Sequence, residues 1–190
     1  GAGTARYADG SIYKGNFKNS KPDGTGKLLF LDGGSYAGQW ADGNFNGLGT
    51  IKYSNGDVFS GAFVNGKRSG YGEIKSENNY SYSGEWLYDE KNGAGQIIYS
   101  DGSIYEGQLK DGLQEGTGSL TFKDGLIVKG TWEDGEINGS VSLQQVNGDR
   151  YDGNMRSGKR DGKGITKYAS GDIYDGTFGQ DDDEQPMLDT

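Results

Sequence analysis

The sequence predicts an all-β chain built as an elongated single-sheet array of β-hairpins, of solenoid or rod type, with a 23-residue period. Three observations predict it. Aromatic-x-Gly anchors recur in strict phase, large apolar residues follow them at a fixed offset, and Asp-Gly or Asn-Gly pairs punctuate the units. About a fifth of the chain is glycine (37 of 190 residues), and no stretch carries a helical period.

The anchors fall at Tyr13/Gly15, Tyr36/Gly38, Phe59/Gly61, Tyr82/Gly84, Tyr105/Gly107, Val128/Gly130, Tyr151/Gly153 and Tyr174/Gly176, each 23 residues after the last. Two positions after each glycine stands Phe17, Trp40, Phe63, Trp86, Leu109, Trp132, Met155 or Phe178. Side chains alternate along a strand, so aromatic, glycine and Trp share one face. A Gly-x-Gly pair follows at 24/26, 47/49, 70/72, 93/95, 116/118 and 162/164, while at 139 the second member is Val141. It opens the second strand, where Gly49, Ile51 and Tyr53 share a face. Asp32-Gly33, Asn55-Gly56, Asp101-Gly102, Asp124-Gly125 and Asn147-Gly148 close the units and predict type I′ turns, in which both central residues have positive φ. Glycines on the aromatic face leave room for a ring to lie across the backbone.

In order along the chain, Gly1–Gly10 projects onto the second half of an earlier unit, so the expectation is a piece of a longer array with its upstream segments out of view. Units anchored at 13, 36 and 59 are regular, with Pro22 in a hairpin tip. The unit anchored at 82 has Asn79 where the preceding closing glycine would be, and a glycine-free tip, Leu87 to Asn92. The unit anchored at 128 is degenerate, with Val128, Val141 and Leu143-Gln144-Gln145. The array ends near 178, and residues 179–190, with Asp181-Asp182-Asp183-Glu184, read as an acidic disordered tail.

The pattern resembles the MORN (membrane occupation and recognition nexus) repeat family, whose unit is a hairpin of this length with Tyr-x-Gly-x-Trp followed by Gly-x-Gly. The resemblance spans residues 1–178 in eight registered copies. Where many members of that family have His before Gly-x-Gly, this chain has Asp23, Asn46, Ser69, Asn92, Glu115, Asn138 and Asp161. The resemblance implies a non-catalytic scaffold near a membrane or the cytoskeleton, working through protein contacts or oligomerisation. The expected contact surface is an aromatic groove of Tyr36, Trp40, Phe59, Phe63, Tyr82, Trp86, Tyr105 and Trp132, holding a peptide or helix. The same rings have packing of repeat on repeat as their plainer role.

Composition narrows the chemistry. The chain has neither Cys nor His, which removes disulfides, imidazole bases and the usual zinc ligands, so no catalytic residue, cofactor or metal is expected. The Gly-x-Gly pairs lack a following Gly-Lys-Ser/Thr and are not phosphate loops. The net charge is −9, five of it from 181–189, and no uniformly basic surface suggests nucleic acid. Arg150, Arg156, Lys159, Arg160, Lys163 and Lys167 form the basic cluster that a directly lipid-binding module would use, with a solvated face as the plainer reading. Two further alternatives are a regulatory arm of an enzyme lying outside this segment and a wall-polysaccharide module. Open sheet edges allow a homodimer. Localisation is not written in the sequence beyond the membrane-proximal setting that the resemblance implies.

Overall fold

The structure is a computed structural model that describes residues 1–179. The tail reading therefore lies, but for Gly179, outside the described residues. Among these there is no helix, and the strands divide between two compact units, Gly1–Gly93 and Ala94 onward.

The first unit holds β1 (Ala2–Arg6), β2 (Ile12–Lys18), β3 (Lys21–Leu29), β4 (Ser35–Ala41), β5 (Asn44–Lys52), β6 (Val58–Val64), β7 (Lys67–Lys75) and β8 (Ser81–Leu87). β9 (Glu90–Ile98) begins in it and ends in the second. The second continues with β10 (Ile104–Lys110), β11 (Leu113–Thr121), β12 (Ile127–Glu133), β13 (Glu136–Gln144), β14 (Arg150–Arg156), β15 (Lys159–Lys167) and β16 (Ile173–Phe178). Within each unit the strands pair antiparallel in the order of the sequence. β1 takes the register of a second strand, Gly3 opposite Gly15 as Gly26 is opposite Gly38.

Glycine sets the register. Gly38 lies opposite Gly49, and the ring of Tyr36 lies across that pair, its hydroxyl donating to Gln39 O at 2.7 Å. Tyr13, Tyr82, Tyr105 and Tyr151 repeat the same hydroxyl bond to the carbonyl three residues on, at 2.6–2.9 Å. β2, β4, β6, β10, β12 and β14 then carry a bulge, as between Gly38 and Trp40, which re-aims the large residue toward the preceding hairpin. Trp40 meets Tyr13 edge-on at 4.9 Å, Phe63 meets Tyr36 at 5.4 Å and Trp86 meets Phe59 at 5.2 Å. The second unit repeats this with Tyr105–Trp132 at 5.4 Å and Tyr151–Phe178 at 5.2 Å. Such pairs add about 0.5–1.5 kcal/mol each beyond area burial.

The turns correct one expectation. In the closing turns only the glycine has positive φ, as at Gly56 (92°), and Asn55 Oδ1 accepts from Asp57 N at 3.0 Å. The hydrogen bonds Gly56 N to Tyr53 O (3.1 Å) and Tyr53 N to Asp57 O (2.8 Å) make a turn ended by a glycine bulge rather than type I′. Two successive positive-φ residues occur instead at the tips, as at Asp42 (49°) and Gly43 (87°). The loop length explains the exchange. The tips leave two residues between strands, and only the primed turn closes so short a hairpin without splaying it. Asn79 takes φ 65° in place of glycine. The glycine-free tip closes with Tyr88 at φ 49° and Asp89 at 77°.

The residues standing where the resembling family often has His lie on strands and tie neighbouring tips together. Asp23, Asn46, Ser69 and Glu115 each accept from a backbone N–H nineteen residues on, at Asp42, Asn65, Tyr88 and Asp134, over 3.2–3.4 Å.

Candidate functional site

The two faces of the strands differ in kind. On the ring-bearing face the eight expected groove residues are sealed: Tyr36, Phe59, Tyr82 and Tyr105 are 0% exposed, and Trp40, Phe63, Trp86 and Trp132 at most 7%. They are brought together as a packed ladder within each unit. Burial pushes the Tyr36 and Tyr105 hydroxyls up to about 12, and Tyr82 further still. Trp40 and Trp86 donate Nε1 to Gly26 O (3.2 Å) and Gly72 O (3.1 Å). Trp132, within the degenerate unit, keeps its ring contact, but its Nε1 is buried without an acceptor.

Over the ladder of each unit lies a set that the aromatic spacing did not reveal, Pro22, Phe45 and Arg68 in the first and Gln114, Ile137 and Arg160 in the second, each opposite the large apolar residue of its hairpin. Phe45 stacks on Tyr36 at 3.8 Å. Arg68 places its guanidinium 4.2 Å from the Trp86 ring centroid and pairs with Asp89 at 3.3 Å. Lys91 lies over Tyr80 at 4.8 Å and Tyr82 at 5.5 Å. The chemistry of each set varies from step to step while the rings beneath stay constant. The signal was the same period at an offset of nine from the anchor, hidden because no residue type repeats there.

The opposite face is mostly polar, with single exposed apolar side chains at Leu29, Leu113 and Ile173 and one group of them. Leu48 (66% exposed), Val64 (48%), Tyr71 (67%) and Leu87 (48%) stand on β5 to β8, with Tyr88 (65%) at the adjoining tip. Leu48 is opposite Ala62, whose methyl would lie 3.2 Å from a Cβ at Gly70. The positions of the second unit that match Leu48, Val64, Tyr71 and Leu87 are Ala94, Lys110, Thr117, Glu133, Ser140, Arg156 and Lys163, none of them large and apolar.

The basic cluster is divided. Arg150 forms a two-pronged pair with Asp152 (2.9 and 3.2 Å), and Arg156 pairs with Asp161 at 3.2 Å. Arg160 is stacked over Tyr151 at 4.5 Å, and burial lowers its pKa. Lys159, Lys163 and Lys167 remain exposed. Among the described residues there is no group of acidic side chains able to hold a metal ion, and no helix long and apolar enough to cross a membrane.

The family model of the MORN repeat matches residues 13–35, 36–58, 59–79, 82–104, 105–127 and 151–173. The chain belongs to the MORN repeat family. The longer of the two stretches passed over between those matches, 128–150, is the degenerate unit. No curated protein matches in sequence. Among solved structures, the chain is similar to the TCP domain of Drosophila melanogaster SAS-4 (dCPAP) in complex with a proline-rich motif of Ana2 (14% identity, TM-score 0.51, 93% of this chain and 90% of that one). It is similar also to the CPAP G-box domain (15%, TM-score 0.53, 92% and 97%). A third is the Danio rerio CPAP TCP10 domain with a STIL peptide (14%, TM-score 0.51, 92% and 83%). At these identities the likeness is one of fold.

Proposed function

We propose that this MORN repeat chain is a non-catalytic protein-interaction scaffold that holds a peptide or helix of a partner. The observation that carries the reading is the apolar group Leu48, Val64, Tyr71, Leu87 and Tyr88, left in water together on a mostly polar face. A soluble surface concentrates large apolar side chains where something covers them. Tyr88 adds to it, because a bulky side chain held at φ 49° is strained, and such strain collects at functional sites. Two neighbours of the same fold are seen with peptides, which supports a peptide as the class of partner.

On this reading Tyr36, Trp40, Phe59, Phe63, Tyr82, Trp86, Tyr105 and Trp132 hold the framework. Contact along the ring-bearing face would run through the overlying set of each unit and the edges of those rings. A panned peptide library separates the two surfaces. Peptides selected on the intact chain should lose binding to a Leu48→Ser/Tyr71→Ser variant whose melting temperature is unchanged. Loss in Trp86→Ala beyond its loss of stability, with the double serine variant binding normally, moves the contact to the ring face. Peptides indifferent to both variants refute the proposal. Direct lipid association would rest on Lys159, Lys163 and Lys167, since the arginines of that cluster are ion-paired or stacked. Sedimentation with anionic vesicles at low salt tests it, and an unbound chain removes it.

A further inference from the structure

The face opposite the rings also holds a depression at β1 to β4, with a volume of about 750 Å³, remote in sequence from the apolar group. Its floor is a row of four glycines in mutual register, Gly3, Gly15, Gly26 and Gly38. Those glycines would direct a Cβ toward the rings, so on this side only backbone lies between two walls. One wall is the row Thr4, Lys14, Lys27 and Ala37, joined by direct cross-strand pairing. The other holds Ala2, Asn16, Thr25 and Gln39, with Thr25 opposite Gln39.

Lys14 directly opposite Lys27 is unfavourable in a sheet, where like charges repel across a pair. The ion pairs of the described residues join Arg68 to Asp89, Lys75 to Glu73, Arg150 to Asp152 and Arg156 to Asp161, and none reaches either lysine. Lys18 opposite Lys21 continues the positive charge toward the tip. An acidic chain thus keeps a directly opposed lysine pair inside a trough, beside hydroxyl and amide groups that can bond to a main chain.

We infer that this trough binds an extended acidic peptide segment, with carboxylates on Lys14 and Lys27 and main-chain groups on Asn16, Thr25 and Gln39. The dimensions agree. Three strand spacings of ~4.8 Å give a trough about 14 Å long, which is the span of roughly four extended residues. Alternate side chains of such a segment, ~6.7 Å apart, can reach both ammonium groups. The walls offer no large apolar side chain to enter a bilayer, and a recessed floor suits a peptide better than a membrane plane. This inference stands apart from the apolar contact surface and does not need it.

The chain itself carries a sequence of the required kind, Asp181-Asp182-Asp183-Glu184, which supplies a probe. The receptor is the full chain with those four residues changed to Asn, Asn, Asn and Gln, so that its own run does not compete. The probe is a labelled peptide of residues 180–190, followed by fluorescence anisotropy. Saturable binding is expected, weakened about tenfold by Lys14→Gln and again by Lys27→Gln, since each removes a charge-assisted bond. Lys163→Gln should leave the affinity unchanged. Peptide binding no tighter than that of its all-amide version, or binding untouched by both Lys variants, overturns the inference. So does a trough that takes inorganic phosphate or phosphatidylserine vesicles in preference to the peptide. Loss of the library peptides in Leu48→Ser/Tyr71→Ser leaves this result unaffected, so the two proposals fail separately.

Discussion

Replacing Gly49 by Ala tests the physical rule on which every unit rests. Gly49 has no positive φ, so alanine brings no backbone strain and even restricts the unfolded chain, worth about 0.4–1 kcal/mol in its favour. The penalty is entirely one of space. A Cβ there would sit 2.4–2.6 Å from the hydroxyl and ring carbons of Tyr36, whose ring has no exposed side toward which to retreat. Phe45 stacks on it at 3.8 Å, while Trp40 and Phe63 abut it at 5.3 and 5.4 Å. Over-packing of this kind costs about 1–3 kcal/mol. Displacing the ring also endangers its hydroxyl bond to Gln39 O, worth roughly 1 kcal/mol. The net expectation is a destabilisation of about 2–3 kcal/mol. Tyr36→Ala alone should cost about 3–5 kcal/mol, as for other large aromatic truncations. With the ring gone, however, the three atoms nearest the new methyl are gone with it. The double variant should therefore be no less stable than Tyr36→Ala alone, a coupling of about 2 kcal/mol by urea unfolding of the four proteins. Additive losses would refute the account, because they would mean that the glycine serves the backbone and not the ring.

Alkali should unfold the protein cooperatively. The hydroxyls of Tyr36 and Tyr105 titrate near 12 when folded, against 10.0 as the ordinary value. The folded state thus holds its protons where the unfolded state has released them, so their stabilisation is intact below pH 10 and falls away between pH 10 and 12. Exposed tyrosines such as Tyr71 and Tyr88 add to tyrosinate absorbance without unfolding, so the last step of absorbance, that of the buried rings, should coincide with the loss of circular dichroism; completion of the absorbance rise before the fold is lost would contradict the ladder. Tyr88→Asn should raise stability by about 1 kcal/mol, since asparagine tolerates the left-handed region that tyrosine resists, while weakening the binding of library peptides. A destabilised variant would show that Tyr88 is not strained. Asn46→Ala removes the acceptor for Asn65 N, and a loss of about 0.5–1.5 kcal/mol in chemical unfolding is expected; none would mean that the tips do not depend on that column.

Period and composition reach far in a chain like this, but they reach the framework before the surface. The anchors Tyr36, Gly38 and Trp40 recur because each is bound by the same geometry, a ring over a glycine pair and a second ring against the preceding hairpin. That constancy makes them visible in the sequence, and it also makes them buried. Positions free to differ are the ones a partner would meet: Phe45 and Arg68 over the rings, Leu48 and Tyr71 on the other face. No repeat announces them. The turn exchange has a similar cause, for Asp-Gly pairs occur at both kinds of turn and only the number of residues between strands tells them apart.

Lys14 and Lys27 show the remaining gap. They are separated by a tip and a bulge, and their direct opposition depends on the Gly15–Gly26 pairing that fixes the register of β2 against β3. A slip of one residue would put them on different faces. Repetition therefore encodes where each strand lies, and departures from it, once placed on that lattice, mark where the molecule differs from a bare scaffold. In the first unit those departures are an apolar group on β5 to β8 and an unneutralised lysine pair on β2 and β3. They lie on one face and call for opposite chemistries, so a partner covering both would need an acidic extended segment continuous with an apolar one.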